Sequence, residues 1–265
     1  MKLKINIVDA FTDTPFKGNS AAVIITEAWL DDDLMQSIAM ENSLSETAFL
    51  VKGLNDVYHI RWFSPLTEID FCGHATLASA FVLFQSNPKL QQVVLQADAV
   101  GAMTIIKTAD GLIEMDFPNR APSNIEQIPV ELLNGLSIRP KQVLKNQQAY
   151  FAVYDSEQDV LNVKQNTTLI KQLAPLDVVV TARSGAEDYD FISRYFWPAN
   201  GGDEDPVTGS IHTGLAPYWA EQLHKTKLVA YQASSRGGTL YCTVSAERVI
   251  IAGRAVQYLE GLIEV

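Results

Sequence analysis

The sequence has few of the features that place a protein in a membrane or in an oxidising compartment. Only two cysteines occur among its 265 residues, Cys72 and Cys242, and neither belongs to a metal-binding spacing pattern. Such scarcity excludes a disulfide framework and is typical of a reducing compartment. No run of about 18 apolar residues is present, and the first residues, MKLKINIVDAF, have the pattern of a strand rather than of a signal peptide. We therefore predict a cytoplasmic protein with no membrane segment and no metal site.

Positive charge is also scarce. The chain has 31 acidic and 20 basic side chains, a formal net charge of −11, and no basic run. This balance disfavours nucleic acid and anionic membranes as partners. A glycine-rich nucleotide fingerprint is missing as well, so we expect neither a dinucleotide nor any other cofactor.

The sequence is rich in short β-type segments placed around one very apolar helical segment. Stretches such as LKINIVDAF, AAVIIT and VYHIRWF predict strands. The segment ATLASAFVLF, residues 75–84, has only Thr76 and Ser79 as polar side chains, so a helix here must be buried on nearly every side. These features predict an α+β fold in which a barrel-like curled sheet surrounds a central helix.

A weak internal repeat suggests that this arrangement occurs twice. The string RWFSP at 61–65 is echoed by RYFWP at 194–198, and an acid-bearing loop and an apolar helix-like segment follow each copy. We predict two pseudo-symmetric halves: residues 1–117, completed by 258–265, and residues 118–257. Pro217 lies inside the second helical segment, which predicts a kink or an early end there.

The start of each central helix is a candidate anion-binding site. Gly73 and His74 open the first helical segment, and Gly209 and Ser210 are expected to open the second. Unpaired N–H groups and the helix dipole favour an anion at such a position. This pattern predicts a small anionic substrate, bound by Gly73, Thr208, Gly209 and Ser210. The alternative is that Thr208 and Ser210 only cap a helix.

Three acidic residues, Asp203, Glu204 and Asp205, precede the second helical segment. Like charges that are held close make at least one carboxylate a stronger base, and the helix dipole offsets part of the repulsion. Asp205 lies nearest the helix and is our candidate for proton transfer. A solvated acidic loop is the alternative interpretation.

Glu46 and His74 are the other candidates for acid–base chemistry. Glu46 lies between Ser45 and Thr47 where a helix gives way to an apolar strand, and partial desolvation there favours a general base. The imidazole of His74 can shuttle protons. A capping glutamate and a structural histidine remain the alternatives.

Taken together, these residues resemble the PhzF-like family of phenazine biosynthesis, which has the diaminopimelate epimerase-like fold. The matching stretches run through the whole chain: DAFTDTPFKGNSAAV, LSETAFLV, RWFSPLTEIDFCGHATLASA, EDPVTGSIH, APYW and SSRGGTLYCTV. The resemblance implies two barrel-like halves with the site between them, and a homodimer. It also implies that Glu46, in the LSET motif, is the catalytic acid–base, with His74, Asp205 and Ser210 completing the site.

The sequence departs from the family pattern at two positions. The usual GNPAAV is GNSAAV here, so Ser20 replaces a proline beside Asn19, which we expect to loosen the turn. Asn19 and Ser20 are further candidate substrate contacts. The usual GSAH is GSIH, which places the bulkier Ile211 at the second helix.

The resemblance also bears on the type of proton transfer. Related epimerases use two cysteines, one at each helix end, whereas only Cys72 is near such an end here. A two-thiol racemase is therefore disfavoured. The sequence predicts a cofactor-independent isomerase that shifts a proton on a small carboxylate-bearing substrate. The alternatives are an amino- or hydroxy-acid epimerase and a non-catalytic scaffold that binds a small ligand or a protein.

Overall fold

The computed structural model of the protein describes residues 1–54 and 57–265. Strands dominate these residues, and the helices between them are few. The strands are β1 (Lys2–Ala10), β2 (Asn19–Thr26), β3 (Glu46–Lys52), β4 (Val57–Phe63), β5 (Glu68–Ile69), β6 (Gln92–Ala97), β7 (Gly101–Lys107), β8 (Ile113–Pro118), β9 (Ser123–Asn124), β10 (Gln142–Lys145), β11 (Ala149–Val153), β12 (Asp177–Arg183), β13 (Phe191–Trp197), β14 (Gly202–Asp205), β15 (Lys227–Gln232), β16 (Gly238–Val244), β17 (Arg248–Gly253) and β18 (Ala255–Glu264).

The α-helices are α1 (Asp32–Asn42), α2 (Gly73–Ser86), α3 (Val130–Gly135), α4 (Glu157–Asn162), α5 (Thr167–Ile170) and α6 (His212–Leu223). Within the described residues, none of them combines the length and the apolar character needed to cross a bilayer. The chain divides into two compact units. Unit 1 comprises Met1–Asp116 and Ala252–Val265, and unit 2 comprises Phe117–Ile251.

The sheet of unit 1 is mixed and curled. Its strands pair in the order β18–β1–β2–β3–β4–β6–β7–β8, with β5 as a short partner of β4. The β2–β3 and β4–β6 pairs are parallel and the others are antiparallel. Helix α2 contacts β1, β2 and β3 and also β7 and β18, which lie far apart in this order. The sheet must therefore bend around α2, and the predicted curled sheet around a central helix is confirmed.

Helix α2 is buried because its sequence leaves no polar face. Every residue from Gly73 to Phe84 is buried except Phe81. The two hydroxyl side chains in this stretch form hydrogen bonds at the preceding turn: Thr76 donates to the Cys72 carbonyl at 2.6 Å, and Ser79 donates to the Ala75 carbonyl at 2.7 Å. Buried hydroxyls therefore cost little here, because each has its hydrogen bond.

Unit 2 repeats the same topology. Its strands pair in the order β9–β10–β11–β12–β13–β15–β16, with β14 as a short partner of β13. The parallel pairs are β11–β12 and β13–β15, which correspond to β2–β3 and β4–β6 of unit 1. Helix α6 takes the place of α2 and packs on β15 and β16. The predicted α+β fold with two pseudo-symmetric halves is confirmed.

The sequence echo RWFSP and RYFWP makes equivalent contacts in the two units. Arg61 on β4 pairs with Glu68 on β5 at 2.6 Å, and Arg194 on β13 pairs with Glu204 on β14 at 2.8 Å. Each guanidinium also lies over the ring of the phenylalanine two residues later, at 5.2 Å and 5.0 Å. The repeat is thus one of side-chain contacts as well as of topology.

The second central helix begins later than predicted. Gly209 and Ser210 do not open α6; they lie in a turn, and the helix starts at His212. The first N–H groups bond three residues back, His212 to the Gly209 carbonyl and Thr213 to the Ser210 carbonyl. The regular four-residue pattern begins only afterwards, so the expectation of a helix opening at Gly209 is wrong by three residues.

Helix α6 also does not end early at Pro217, and it continues to Leu223. Proline has no N–H for the carbonyl of Thr213, four residues earlier. The backbone N–H of Arg120 donates to that carbonyl at 3.1 Å. This external donor replaces the missing helical bond, which explains why the helix tolerates the proline.

The three adjacent acids do not form a loop. Glu204 and Asp205 are paired strand residues of β14, and Asp203 lies on the same strand. Successive side chains of a strand point to opposite faces, which separates the charges. Glu204 is neutralised by Arg194, Asp203 is exposed and Asp205 is buried. The apparent crowding is therefore largely resolved by the strand geometry.

Candidate active site

Glu46 and His74 meet inside unit 1. Glu46 is the first residue of β3, opposite Ala21 of β2, and His74 is the second residue of α2. Each is only 5% exposed. Glu46 Oε2 lies 2.9 Å from His74 Nε2 without the alignment of a hydrogen bond, and no group in the described part of the chain hydrogen-bonds this oxygen. The structure therefore places a buried carboxylate oxygen directly beside a proton-carrying ring.

The other ring nitrogen of His74 faces Asn19. The Asn19 Nδ2 atom lies 3.1 Å from Nδ1, and Ser45 donates its hydroxyl to Asn19 Oδ1 at 3.1 Å. With its oxygen used in this way, the amide presents its NH₂ group to Nδ1. A neutral imidazole that accepts this bond carries its proton on Nε2, toward Glu46. His74 thus presents an N–H group to Glu46 in both its neutral and its charged form.

Cys72 adjoins this pair at the start of α2. Its Sγ atom lies 3.4 Å from His74 Nδ1, and burial raises the pKa of the Cys72 thiol to about 11. Burial lowers the pKa of His74, but Cys72 and Glu46 outweigh it and raise that pKa well above its ordinary value.

The site contains three possible metal ligands, Glu46, Cys72 and His74. One ligand atom from each lies within 4.8 Å of the others. A histidine that binds a metal through one nitrogen ordinarily donates the other N–H to an acceptor. Here Nδ1 faces the donor group of Asn19 instead. The surroundings of the ring therefore suit proton transfer better than metal ligation.

The turn before β2 holds the remaining candidates of unit 1. Gly18 has a φ of +65°, and a Cβ there would lie 2.1 Å from the Ala10 carbonyl oxygen, so only glycine fits. Ser20 donates its hydroxyl to Asp9 Oδ1, and Asp9 Oδ2 also accepts the Phe16 N–H at 2.9 Å. Instead of loosening the turn, as we expected, Ser20 ties β2 to β1.

Asp205 and Thr208 form a second constellation, in unit 2. Asp205 ends β14 and is 8% exposed. Thr208 donates its hydroxyl to Asp205 Oδ2, and the Gln232 side chain bridges the two residues by accepting the Thr208 N–H and donating to the Asp205 carbonyl, both at 2.9 Å. The Asp205 carboxylate is thus held in one orientation by its own loop.

Gly209 and Ser210 follow in the turn before α6. Gly209 is buried, whereas Ser210 is partly exposed. The Ser210 hydroxyl accepts a hydrogen bond from Gln148 Nε2 at 2.9 Å. The structure therefore brings Asn19, Glu46, Gly73 and His74 together in unit 1, and it brings Asp205, Thr208, Gly209 and Ser210 together in unit 2.

Sequence reasoning missed several polar residues behind the second constellation: Gln148, Asp177, Tyr195, Asn200 and Gln232. They lie on or between strands that are mostly apolar. The one available signal was a carboxylate at the start of an otherwise apolar strand, Asp177 in LDVVVTA. A buried charge needs partners, and the sequence does not say which residues supply them.

Comparison with known proteins gives a consistent result over the whole chain. The sequence model of the PhzC-PhzF family, described as phenazine biosynthesis-like protein, matches residues 8–261. A Pseudomonas aeruginosa protein named as an uncharacterized isomerase is 46% identical over 261 residues, which are 98% of each chain.

Solved structures agree with this match. A phenazine biosynthesis protein of the PhzF family from Enterococcus faecalis superimposes with a TM-score of 0.94 and 40% identity over the full length of both chains. A predicted epimerase from Pseudomonas aeruginosa has a TM-score of 0.76 at 21% identity over 99% of both chains, a likeness of fold alone.

Proposed function

Because the chain belongs to the PhzC-PhzF family of phenazine biosynthesis-like proteins, we propose that it is a cofactor-independent isomerase acting on a small carboxylate-bearing substrate. In this proposal Glu46 removes a proton from a carbon next to the carboxylate, or further along an unsaturated chain, and returns it at a second carbon. The product keeps all atoms of the substrate. The relative named as an isomerase supports this class of reaction.

The observation that carries this proposal is the state of Glu46. Its Oε2 atom is buried, lacks a hydrogen bond from any described residue and lies 2.9 Å from His74 Nε2. A buried carboxylate oxygen that lacks a hydrogen bond costs stability, so its retention favours a functional role. The oxygen can take a proton from the substrate while His74 Nε2 stays beside it. His74 then stabilises Glu46 as its charge changes.

The remaining candidates are assigned to assistance and binding. Asp205 is assigned to assist proton transfer, as the family resemblance implies. The N–H groups at Gly73, Gly209 and Ser210, together with Thr208, hold the anion and stabilise negative charge that develops during proton transfer. Asn19 and Ser20 stay candidates for substrate binding; the Asn19 side chain lies against His74, and Ser20 donates its hydroxyl to Asp9.

Two alternatives stay open beside the isomerase. An amino- or hydroxy-acid epimerase would use the same base, and the position of Cys72 beside His74 favours it as the second candidate. Cys242 is buried in β16, where burial raises the pKa of its thiol far above the usual value, which argues against a two-thiol mechanism. The third possibility is a scaffold that binds a small ligand or a protein without chemistry.

Incubation of a panel of small carboxylic acids in heavy water, followed by mass spectrometry, tests the proposal. An isomerase produces a compound of changed bond position that carries deuterium. An epimerase incorporates deuterium at an inverted stereocentre, and a binding scaffold leaves every acid unlabelled. The panel therefore needs unsaturated acids, amino acids and hydroxy acids.

We also propose that the protein acts as a homodimer in the cytoplasm. The family resemblance supports the dimer, and two free, buried cysteines fit a reducing compartment. Size-exclusion chromatography with light scattering gives twice the chain mass if this is correct. A mass of one chain contradicts the dimer.

A further inference from the structure

A chain of hydrogen bonds in unit 2 ends at Ser210. It begins at Asp177, the first residue of β12, which is 9% exposed. Asp177 Oδ2 accepts the Tyr195 hydroxyl at 2.6 Å, and Oδ1 accepts the Asn200 side-chain amide at 2.9 Å. Both carboxylate oxygens are thus acceptors, which is the role of an ionised carboxyl group.

The bond to Asp177 fixes the role of the Tyr195 hydroxyl. Tyr195 is 3% exposed, and burial, followed by the Asp177 charge, raises its pKa well above the usual value. The phenol therefore stays protonated, and its single O–H group donates the hydrogen bond to Asp177. Its oxygen has only lone pairs left for any other neighbour.

That neighbour is Gln148. Its Nε2 atom lies 3.1 Å from the Tyr195 oxygen, and only the NH₂ end of the amide can donate to lone pairs. The same Nε2 atom lies 2.9 Å from the Ser210 hydroxyl oxygen. The two amide hydrogens of Gln148 are therefore both used, one on Tyr195 and one on Ser210.

The Ser210 oxygen consequently accepts a bond, and its own proton finds no acceptor among the described residues. Thr208, two positions earlier, differs because its hydroxyl proton is used by Asp205. Ser210 is partly exposed, so its proton is accessible to a ligand. We propose that Gln148, held by Tyr195 and Asp177, is a positioning residue that keeps the Ser210 hydroxyl as a donor to an anionic oxygen of the substrate. This inference rests on the proposed function, since it concerns the anion site of the same reaction.

Inorganic sulfate is the probe, because its binding requires no knowledge of the substrate and no turnover. Titration calorimetry on the full chain compares the wild type with Gln148→Glu, Ser210→Ala and the double variant. A glutamate at 148 can accept the Ser210 proton and so turns it away from the ligand, while toward Tyr195 it meets only lone pairs. Gln148→Glu should weaken sulfate binding roughly tenfold or more, as expected for a lost hydrogen bond to a charged group.

Gln147→Glu is the matched control for added charge. Gln147 is exposed and its amide meets Arg120 rather than Ser210. The inference requires Gln148→Glu to weaken binding clearly more than Gln147→Glu does. Gln148→Met, which introduces no charge, provides a second variant should the glutamate fail to fold, and a smaller loss of several-fold is expected for it.

The double variant distinguishes positioning from simple structural support. Ser210→Ala should weaken sulfate binding in the wild type but have little further effect in Gln148→Glu, because the donor is already lost. If Ser210→Ala weakens sulfate binding by the same factor in the wild type and in Gln148→Glu, the inference is overturned. It is also overturned if the wild type binds no sulfate.

Kinetics supply a second readout if the heavy-water panel identifies a substrate. Its KM should then rise in Gln148→Glu by about the factor seen for sulfate, with a smaller change in kcat. If no acid in the panel reacts, the proposed function fails while the sulfate comparison still decides the role of Gln148.

Discussion

His212 is a buried histidine whose environment keeps it neutral. It is fully buried on α6, its Nδ1 donates to the Thr208 carbonyl at 2.8 Å, and its ring stacks on Phe191. Burial lowers the pKa of His212 to about 4, and the bond to Thr208 offsets only part of that effect. An unfolded histidine titrates near 6.5, so between pH 6.5 and 4 the unfolded chain binds the extra proton.

The first prediction follows from this difference. Stability rises with pH wherever the unfolded state binds more protons, so His212 should cost the protein about 2 kcal/mol when the pH falls from 7 to 5. Urea unfolding at the two pH values measures this loss in the free energy of unfolding. In His212→Gln the loss should be smaller by about 2 kcal/mol. The exposed His224→Gln serves as control and should behave as the wild type. A His212→Gln protein that loses as much stability as the wild type contradicts this assignment.

The second residue-scale prediction compares two ion pairs. Arg194 and Glu204 are largely buried, and Arg194 also donates to the carbonyl groups of Val160 and Val163. Glu204→Gln leaves that guanidinium without its counter-charge and should lower the free energy of unfolding by about 1–3 kcal/mol. Asp155→Asn breaks the exposed pair with Lys141 and should change it by less than about 0.5 kcal/mol. Equal effects in denaturant titrations would show that burial does not set the value of these pairs.

At the scale of elements, α6 depends on close packing at Gly214. A Cβ there would lie 2.7 Å from the Phe151 ring, 2.9 Å from Asn146 Nδ2 and 3.0 Å from the Arg120 carbonyl oxygen. Gly214→Ala should therefore destabilise the protein by about 1–3 kcal/mol, although alanine is the better helix former. Gly261→Ala on β18 is the control, since its Cβ meets only Leu259, at 3.5 Å. A thermal midpoint that rises in Gly214→Ala contradicts the packing described for α6.

The same helix shows where element prediction from sequence stops. The buried helix α2 could be predicted because its apolar character is local to residues 75–84. The behaviour of α6 at Pro217 could not, because the N–H group that replaces the missing bond comes from Arg120, far away in sequence. Likewise, Asp203–Asp205 belong to a strand rather than a loop because β14 pairs with β13. Contacts between distant segments decide both outcomes.

At the scale of the molecule, both units have the same topology. In the sequence, only short similar segments indicated this repeat. Residues that carry chemistry themselves, such as Glu46 and His74, could be selected from motif and residue type. Residues that act through hydrogen-bond chains, such as Gln148 and Tyr195, could not, because their partners are fixed only by the fold. Asp205 was selected for its nearness to a helix, yet its orientation comes from Thr208 within its own loop.

Glu46 is the residue on which the proposed proton transfer depends most. Glu46→Gln keeps the size of the side chain but removes its basic oxygen, while Glu41→Gln makes the same change on the exposed face of α1. A general base contributes roughly 10²–10⁴ to the rate. Ligand affinity should barely change, because in the proposed function the N–H groups at Gly73, Gly209 and Ser210, and not Glu46, hold the anion.

Solvent-deuterium incorporation into one common substrate is the most direct measurement. The wild type and Glu41→Gln should incorporate deuterium at the same rate. Incorporation by Glu46→Gln should be slower by about a hundredfold or more. Exchange by Glu46→Gln at the wild-type rate would contradict the account. Glu46 would then be a structural residue, and the base would have to be sought at Asp205 or His74.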